Sequence, residues 1–165
     1  MGRGRAIRWR CRGHSHDRMR PPKGPWPDVP DQRRKTMAAI RGRDTKAELM
    51  VRRSLHAMGY RFRVNERRFG FRPDILFSAR RKTIFIHGCF WHGHEHVADR
   101  LPRTRSDFWR TKLAANRARD RRALDAFADH GWASLVIWEC ETRDLDSMRS
   151  RLSEFLGPVR WRSSR

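Results

Sequence analysis

The sequence predicts a small α/β domain, a mixed sheet flanked by helices, and three observations carry that prediction. At 165 residues the chain is long enough for one packed core with modest extensions. Apolar residues recur in some segments at the roughly 3.6-residue spacing of a helix, and in others form short runs bounded by turn residues. In order, those segments read helix, three strands, helix, strand, helix.

Residues 1–31, MGRGRAIRWRCRGHSHDRMRPPKGPWPDVPD, are rich in Arg, Gly and Pro without periodicity. That is the composition of a disordered basic tail ending in a Pro-rich linker, with Met19 as an alternative start. The domain is expected over residues 32–157, followed by a second basic tail at 158–165. Met37 and Ile40 suit a short helix punctuated by Gly42 and Asp44. Leu49, Val51, Leu55 and Met58 form the stripe of a second, with Asp44 or Thr45 as N-cap and Gly59 as its stop. Tyr60–Val64 alternates apolar and basic residues, as a half-buried strand does. Asp74–Phe77 and Thr83–His87 read as two more strands joined by a basic turn. Ser106 caps a helix to about His130, with Phe108, Leu113, Leu124 and Phe127 inward and Gly131 at its end. Ala133–Trp138 reads as a buried strand, and Asp144–Phe155 as the closing helix.

Charge narrows the partner. With 39 Lys+Arg against 18 Asp+Glu, the formal charge is +21. Such an excess repels itself in a compact state and points to an anionic polymer. No apolar segment approaches the roughly 18–20 residues of a bilayer span, so nucleic acid is favoured over membrane. Seven tryptophans and nine phenylalanines exceed what a merely basic scaffold needs. The Arg-rich start lacks the apolar stretch of a secretory signal, so the cytoplasm is the expected address. Three cysteines, Cys11, Cys89 and Cys140, suit free thiols or metal ligands better than a disulfide framework.

Chemistry concentrates in IFIHGCFWHGHEHV, residues 84–97. Cys89, His94 and His96 fall within eight residues, and Cys140 ends a later strand. Two thiolates and two imidazoles form a closed structural zinc set; a buried cysteine beside a solvated His-rich turn accounts for the same residues. In the tail, Cys11, His14 and His16 lack a nearby fourth ligand. Asp74, in Phe71-Arg-Pro-Asp74, stands at the head of a strand, where many nucleases hold Mg²⁺ against a phosphate. The usual Asp/Glu-x-Lys on the next strand is absent: Phe85-Ile86-His87 stands there. Histidine can replace the lysine as acid or base, since its pKa lies near working pH. Phe90-Trp91 and Phe108-Trp109 can stack on bases or wedge between them, or fill the core. Asn116–Arg122 is a basic helical stretch suited to phosphates or to solvent.

Together these blocks resemble the very short patch repair endonuclease (Vsr) family over about residues 32–157. The matching residues are Met37-Ala-Ala-Ile-Arg-Gly-Arg-Asp-Thr45, Arg72-Pro-Asp74, Ile84-Phe-Ile-His-Gly-Cys-Phe-Trp-His-Gly-His94, Phe108-Trp109, Ala115-Asn-Arg-Ala-Arg-Asp120, Gly131-Trp132 and Val136-Ile-Trp-Glu-Cys140. The resemblance implies a restriction-endonuclease-like fold of the PD-(D/E)xK type with a structural zinc site. It implies an endonuclease that nicks duplex DNA 5′ of the thymine in a T·G mismatch, the product of 5-methylcytosine deamination, and so starts very short patch repair. Asp74 matches the Mg²⁺-binding carboxylate and the Ile86 carbonyl the second protein ligand. His92 matches the general base and His87 a second catalytic histidine, with Glu48 an acidic residue near the site. Phe90, Trp91 and Trp109 match the aromatic wedge, and Met37, Lys112 and Asn116 the contacts to the mispair. Cys89, His94 and Cys140 match zinc ligands. The family's fourth is usually a cysteine; here His96, with Glu95 as competitor, stands in its place. The implied partners are mismatched duplex DNA and a MutL-type repair protein, with no membrane; the implied state is a monomer in the bacterial cytoplasm, associated with the nucleoid. Two rival readings are a restriction-type nuclease cutting normal duplex, and a zinc-stabilised DNA-binding protein without catalysis. Asp74 with His87 and His92 speaks against the last, since binding alone does not need them.

Overall fold

The structure, a computed structural model, describes residues 43–98, 101–102 and 106–159. The expected tail at 1–31 with Cys11, His14 and His16, the short helix at Met37 and Ile40, and residues 160–165 lie outside them. Thr45 opens the first described helix, α1 (Lys46–Ala57), by accepting the Glu48 N–H on its side chain at 3.3 Å. Gly59, at φ +84°, ends it, and the Tyr60 N–H reaches back to the Leu55 carbonyl at 3.0 Å. This is the closing turn that favours glycine.

Three antiparallel strands follow: β1 (Arg63–Val64), β2 (Ile75–Phe77) and β3 (Lys82–His87). The first is shorter than the expected Tyr60–Val64 and is not half-buried, since Val64 is 45% exposed. Tyr60 is captured elsewhere: its backbone closes α1 and its hydroxyl donates to the Gly157 carbonyl at 2.6 Å. After β3 come two single-turn helices that periodicity does not reveal, α2 (Cys89–His92) and α3 (Glu95–Ala98). The long helix α4 (Ser106–Asp129) then crosses over to β4 (Ala133–Trp138), which pairs parallel with β3. A parallel neighbour requires such a crossover. A 3₁₀ turn leads to α5 (Leu145–Leu156), whose N-cap is the Asp144 carboxylate, bound to the Ser147 N–H at 3.1 Å.

The sheet order is β1-β2-β3-β4, and strand alternation divides the core between its faces. Ile75, Ile84, Ile86 and Ile137 pack with Val51 and Leu55 of α1 and Met148 and Leu152 of α5. Leu76 and Phe85 pack with Ala123 and Phe127 of α4 and with Trp132. Fully burying each such side chain contributes about 1.5–3 kcal/mol. Alternation sends His87 to the same side as Phe85, facing α4. One inward assignment is corrected: Phe108 is 41% exposed, its ring edge against Trp109. Trp109 is the half-buried member of that pair.

Candidate active site

An open cavity of about 560 Å³ forms where the end of β3, the start of β2, the first turn of α1 and the middle of α4 meet. Asp74, Ile86, His87, His92 and Glu48 all line it, so five sequence-predicted residues come together. Pairing of β2 with β3 begins at Ile75 opposite Ile84, leaving the Ile86 N–H free of the ladder. That N–H donates instead to Asp74 Oδ2 at 2.7 Å. In an extended strand the N–H and C=O of one residue leave the same side. The Ile86 carbonyl therefore faces the side of the Asp74 carboxylate.

Burial pushes Asp74 up to about 6, helped by the Glu48 charge and opposed by the Ile86 N–H. Glu48 is buried and thoroughly satisfied. It accepts from the Asp44 N–H and the Thr45 hydroxyl, each at 3.1 Å, and from Arg52 at 2.7 Å. Its role in the cavity is to carry negative charge next to Asp74 while capping α1.

His92, in the last position of α2, places Nδ1 2.5 Å from Asp120 Oδ2 on α4. The His87 ring stacks on that of His92, with centroids 3.9 Å apart and planes 8° from parallel. Burial, with the neighbouring His92, holds His87 down at about 4, so it is neutral at pH 7. For Asp120, burial works upward, but the His92 hydrogen bond and charge outweigh it and keep the acid below its ordinary value. Donor atoms of His87, His92 and Asp120 lie within 4.8 Å of one another, close enough to invite an ion. The stacked rings argue otherwise: imidazole lone pairs lie in the ring plane, so those of parallel rings run side by side and do not converge.

Asp120 has no role that the sequence motif alone assigns. The signal was there, as a lone carboxylate inside a basic helical run, one turn after Asn116. Both side chains reach α2, Asn116 donating to the Trp91 carbonyl at 2.9 Å. Lys112, one turn earlier, is exposed. Phe90, Trp91 and Trp109 form one aromatic group with centroids 5.2–6.0 Å apart, and Trp91 also lines the cavity. Met37 lies outside the described residues.

These features have counterparts in known proteins. Residues 28–98 match the family described as DNA mismatch endonuclease Vsr. A type II nicking enzyme of Xanthomonas oryzae pv. oryzae, V.XorIIP, is 45% identical over 129 residues, covering 78% of this chain and 95% of that one. The DNA mismatch endonuclease Vsr of Escherichia coli is 38% identical over 136 residues, 78% of this chain and 87% of that one. The chain belongs to the Vsr family. It is thus a member of a family of DNA endonucleases, with an α/β fold built on a mixed four-stranded sheet. Among the described residues, no helix is long and apolar enough to cross a membrane.

Across α2 from the cavity sits a second cluster. Donor atoms of Cys89, His96 and Cys140 lie within 4.8 Å of one another, and both cysteines are free. His94 stands just outside that trio, yet its Nδ1 is 2.6 Å from His96 Nδ1. Two imidazole nitrogens this close repel unless a proton or a cation lies between them. His96, not Glu95, is the residue that joins the thiols. Burial pushes the Cys89 thiol up, so its thiolate needs a cation to persist. A donor set of two sulfurs and two nitrogens fits zinc.

Proposed function

We propose that this Vsr-family protein is a Mg²⁺-dependent, strand-specific endonuclease that nicks duplex DNA 5′ of the thymine in T·G mismatches. The observation that carries this reading is one cavity gathering Asp74, the Ile86 backbone, His87 and the His92–Asp120 pair beside a three-ring aromatic group.

Asp74 and the Ile86 carbonyl offer hard oxygen donors, the set that Mg²⁺ prefers, and would hold it. When bound, the ion supplies charge that polarises the phosphate and stabilises the leaving oxygen. The protein's own groups do the rest. Asp120 accepts from Nδ1–H of His92 and so fixes the tautomer whose Nε2 is free to take a proton from the attacking water. The oxygen of that water bonds to phosphorus, the bond to the leaving sugar oxygen breaks, and the leaving oxygen takes a proton from solvent. Neutral His87 supports the His92 ring by stacking and offers a hydrogen bond to the phosphate without competing for the proton.

Phe90, Trp91 and Trp109 form the wedge, entering the stack where a mispair unstacks at lower energy than a matched pair. Asn116 holds the Trp91 backbone for that insertion; Lys112 and Met37 contact the mismatched bases. Cys89, His94, His96 and Cys140 would hold a structural zinc, tying α2 and α3 to the 3₁₀ turn that follows β4. The fold is accordingly of the PD-(D/E)xK type with histidine in place of its lysine. The enzyme acts in the bacterial cytoplasm as a monomer and hands its nick to repair proteins of the MutL type.

The test compares strand-labelled duplexes of one sequence carrying T·G or T·A. The expected outcome is a Mg²⁺-dependent nick in the thymine strand of the mispair alone. Equal nicking of both would instead identify a sequence-specific nicking enzyme, and binding without cleavage would remove the catalytic reading. Trp91→Ala is expected to shrink the T·G over T·A preference more than it slows the T·G nick.

A further inference from the structure

We propose that Arg119 is a further catalytic residue, a cation that contacts the scissile phosphate beside the His92–Asp120 pair. The proposal rests on the nuclease reading above. Arg119 lines the same cavity as Asp74, His87 and His92. One guanidinium nitrogen, Nη2, lies 3.5 Å from Asp120 Oδ1, while Oδ2 of the same carboxylate meets His92 Nδ1 at 2.5 Å. A single carboxylate therefore carries the general base on one oxygen and a cation on the other. The positive charge is held within a few ångströms of the base, and His87 feels it as a downward influence on its protonation.

The contact to Asp120 is long and uses one nitrogen. Among the described residues the remaining guanidinium nitrogens have no hydrogen-bond partner, and the side chain is 58% exposed. A planar fork with free donors at a cavity mouth suits the two non-bridging oxygens of a phosphodiester, and a phosphate readily outcompetes a 3.5 Å contact. Lys46 and Arg72 also line the cavity, but among the described residues neither pairs with Asp120 as Arg119 does. As the water oxygen bonds to phosphorus, negative charge grows on the non-bridging oxygens. Arg119 keeps all its protons through the step; it stabilises that charge by hydrogen bonds aimed before the reaction begins.

The experiment measures single-turnover nicking of a strand-labelled T·G duplex by saturating enzyme, with DNA affinity measured separately without Mg²⁺. Arg119→Ala is expected to slow the saturated rate by about 10²–10³-fold while changing affinity little. Added guanidinium ion should restore part of the lost rate, and Arg119→Lys should fall between the two. Thermal unfolding of the variant checks that α4 stays folded. A wild-type rate in Arg119→Ala overturns the proposal and leaves the nuclease reading intact. So does a loss confined to affinity, or a slow rate that guanidinium leaves untouched, which would assign Arg119 to holding Asp120. Wild-type protein that cleaves no duplex removes the nuclease reading and this one with it.

Discussion

The two sides of α2 are built from neighbouring residues yet are held together differently. On the cavity side, Asp74 is anchored by the Ile86 N–H, His92 by Asp120, and His87 by stacking. Each group has its partner in the protein before any ligand arrives. On the far side, two thiols and two imidazole nitrogens face one another; His94 also rests edge-on against Trp138 with centroids 4.2 Å apart, while His96 is exposed. The cavity groups are preorganised through hydrogen bonds and stacking, whereas at the outer corner the donor set fits an ion. Damage on the cavity side should therefore cost rate at little cost in stability, whereas damage at the corner should cost stability first.

The sharpest separation is expected from Asp74→Asn. Nicking should fall at least about 10³-fold, because an amide neither holds Mg²⁺ well nor carries its charge. Stability should move the other way. Burial raises the folded pKa of Asp74 to about 6 from the ordinary 3.8, so between those values the native state binds more protons than the unfolded one. Stability from this group therefore declines as pH rises from about 4 to 6 and stays low above that. Asparagine removes the penalty and can still accept the Ile86 N–H. Without Mg²⁺, the variant should gain up to about 3 kcal/mol over wild type at pH 7 and almost nothing at pH 4. Thermal melts of both proteins across that range check it; a variant less stable at pH 7 would break the comparison.

Asp120→Asn is next in size. An amide can donate to Nδ1 as well as accept from it, so the His92 tautomer is no longer fixed; nicking should slow about 10²–10³-fold with mismatch binding unchanged. The melting temperature should move by only a few degrees, since the pair is partly open to solvent. At the other corner, Cys140→Ser should release zinc, read by a metallochromic assay, and lower the melting temperature by about 5–10 °C. Its remaining folded fraction should nick at a rate closer to wild type than Asp120→Asn does. A Cys140→Ser protein as stable as wild type, with no zinc in either, would remove the ion from that corner.

What the sequence made legible was what local chemistry decides. A cap at Asp44 or Thr45, Gly59 as stop and a strand at Ala133–Trp138 each announce themselves within a few residues; the structure caps with Thr45 and forms the strand, though only Ile137 of it is buried. The position of Asp74 at the head of a strand and the separate placement of His87 and His92 from His94 and His96 were readable from motif spacing and family resemblance. Long-range choices were not. Tyr60 leaves the first strand for a carbonyl 97 residues away, and Asp120 acquires its role from a histidine 28 residues earlier. At the start of α4 the ring turned to solvent is Phe108, while Trp109 packs against Phe90 and Trp91. Two adjacent rings cannot be ranked by a helical period when a folded neighbour, α2, decides between them.

Gly93 offers the smallest and most discriminating test, because it is the one residue between His92 of the cavity and His94 of the outer cluster. Its φ of +65° ends α2 in a conformation that favours glycine, and the Arg117 guanidinium occupies the space a Cβ would need while donating to the Gly93 carbonyl at 3.1 Å. Gly93→Ala should cost about 1–2 kcal/mol from backbone strain, plus whatever it takes to displace Arg117. Arg117 is exposed and flexible, so the second contribution should be small and removable. In a double-mutant cycle, Gly93→Ala with Arg117→Ala should cost less than the sum of the single changes, since the clash is lost while the strain stays. Strict additivity in thermal unfolding would mean that Arg117 does not constrain the turn. A drop in zinc content without a matching drop in nicking would show that the two sides of α2 can be loosened separately.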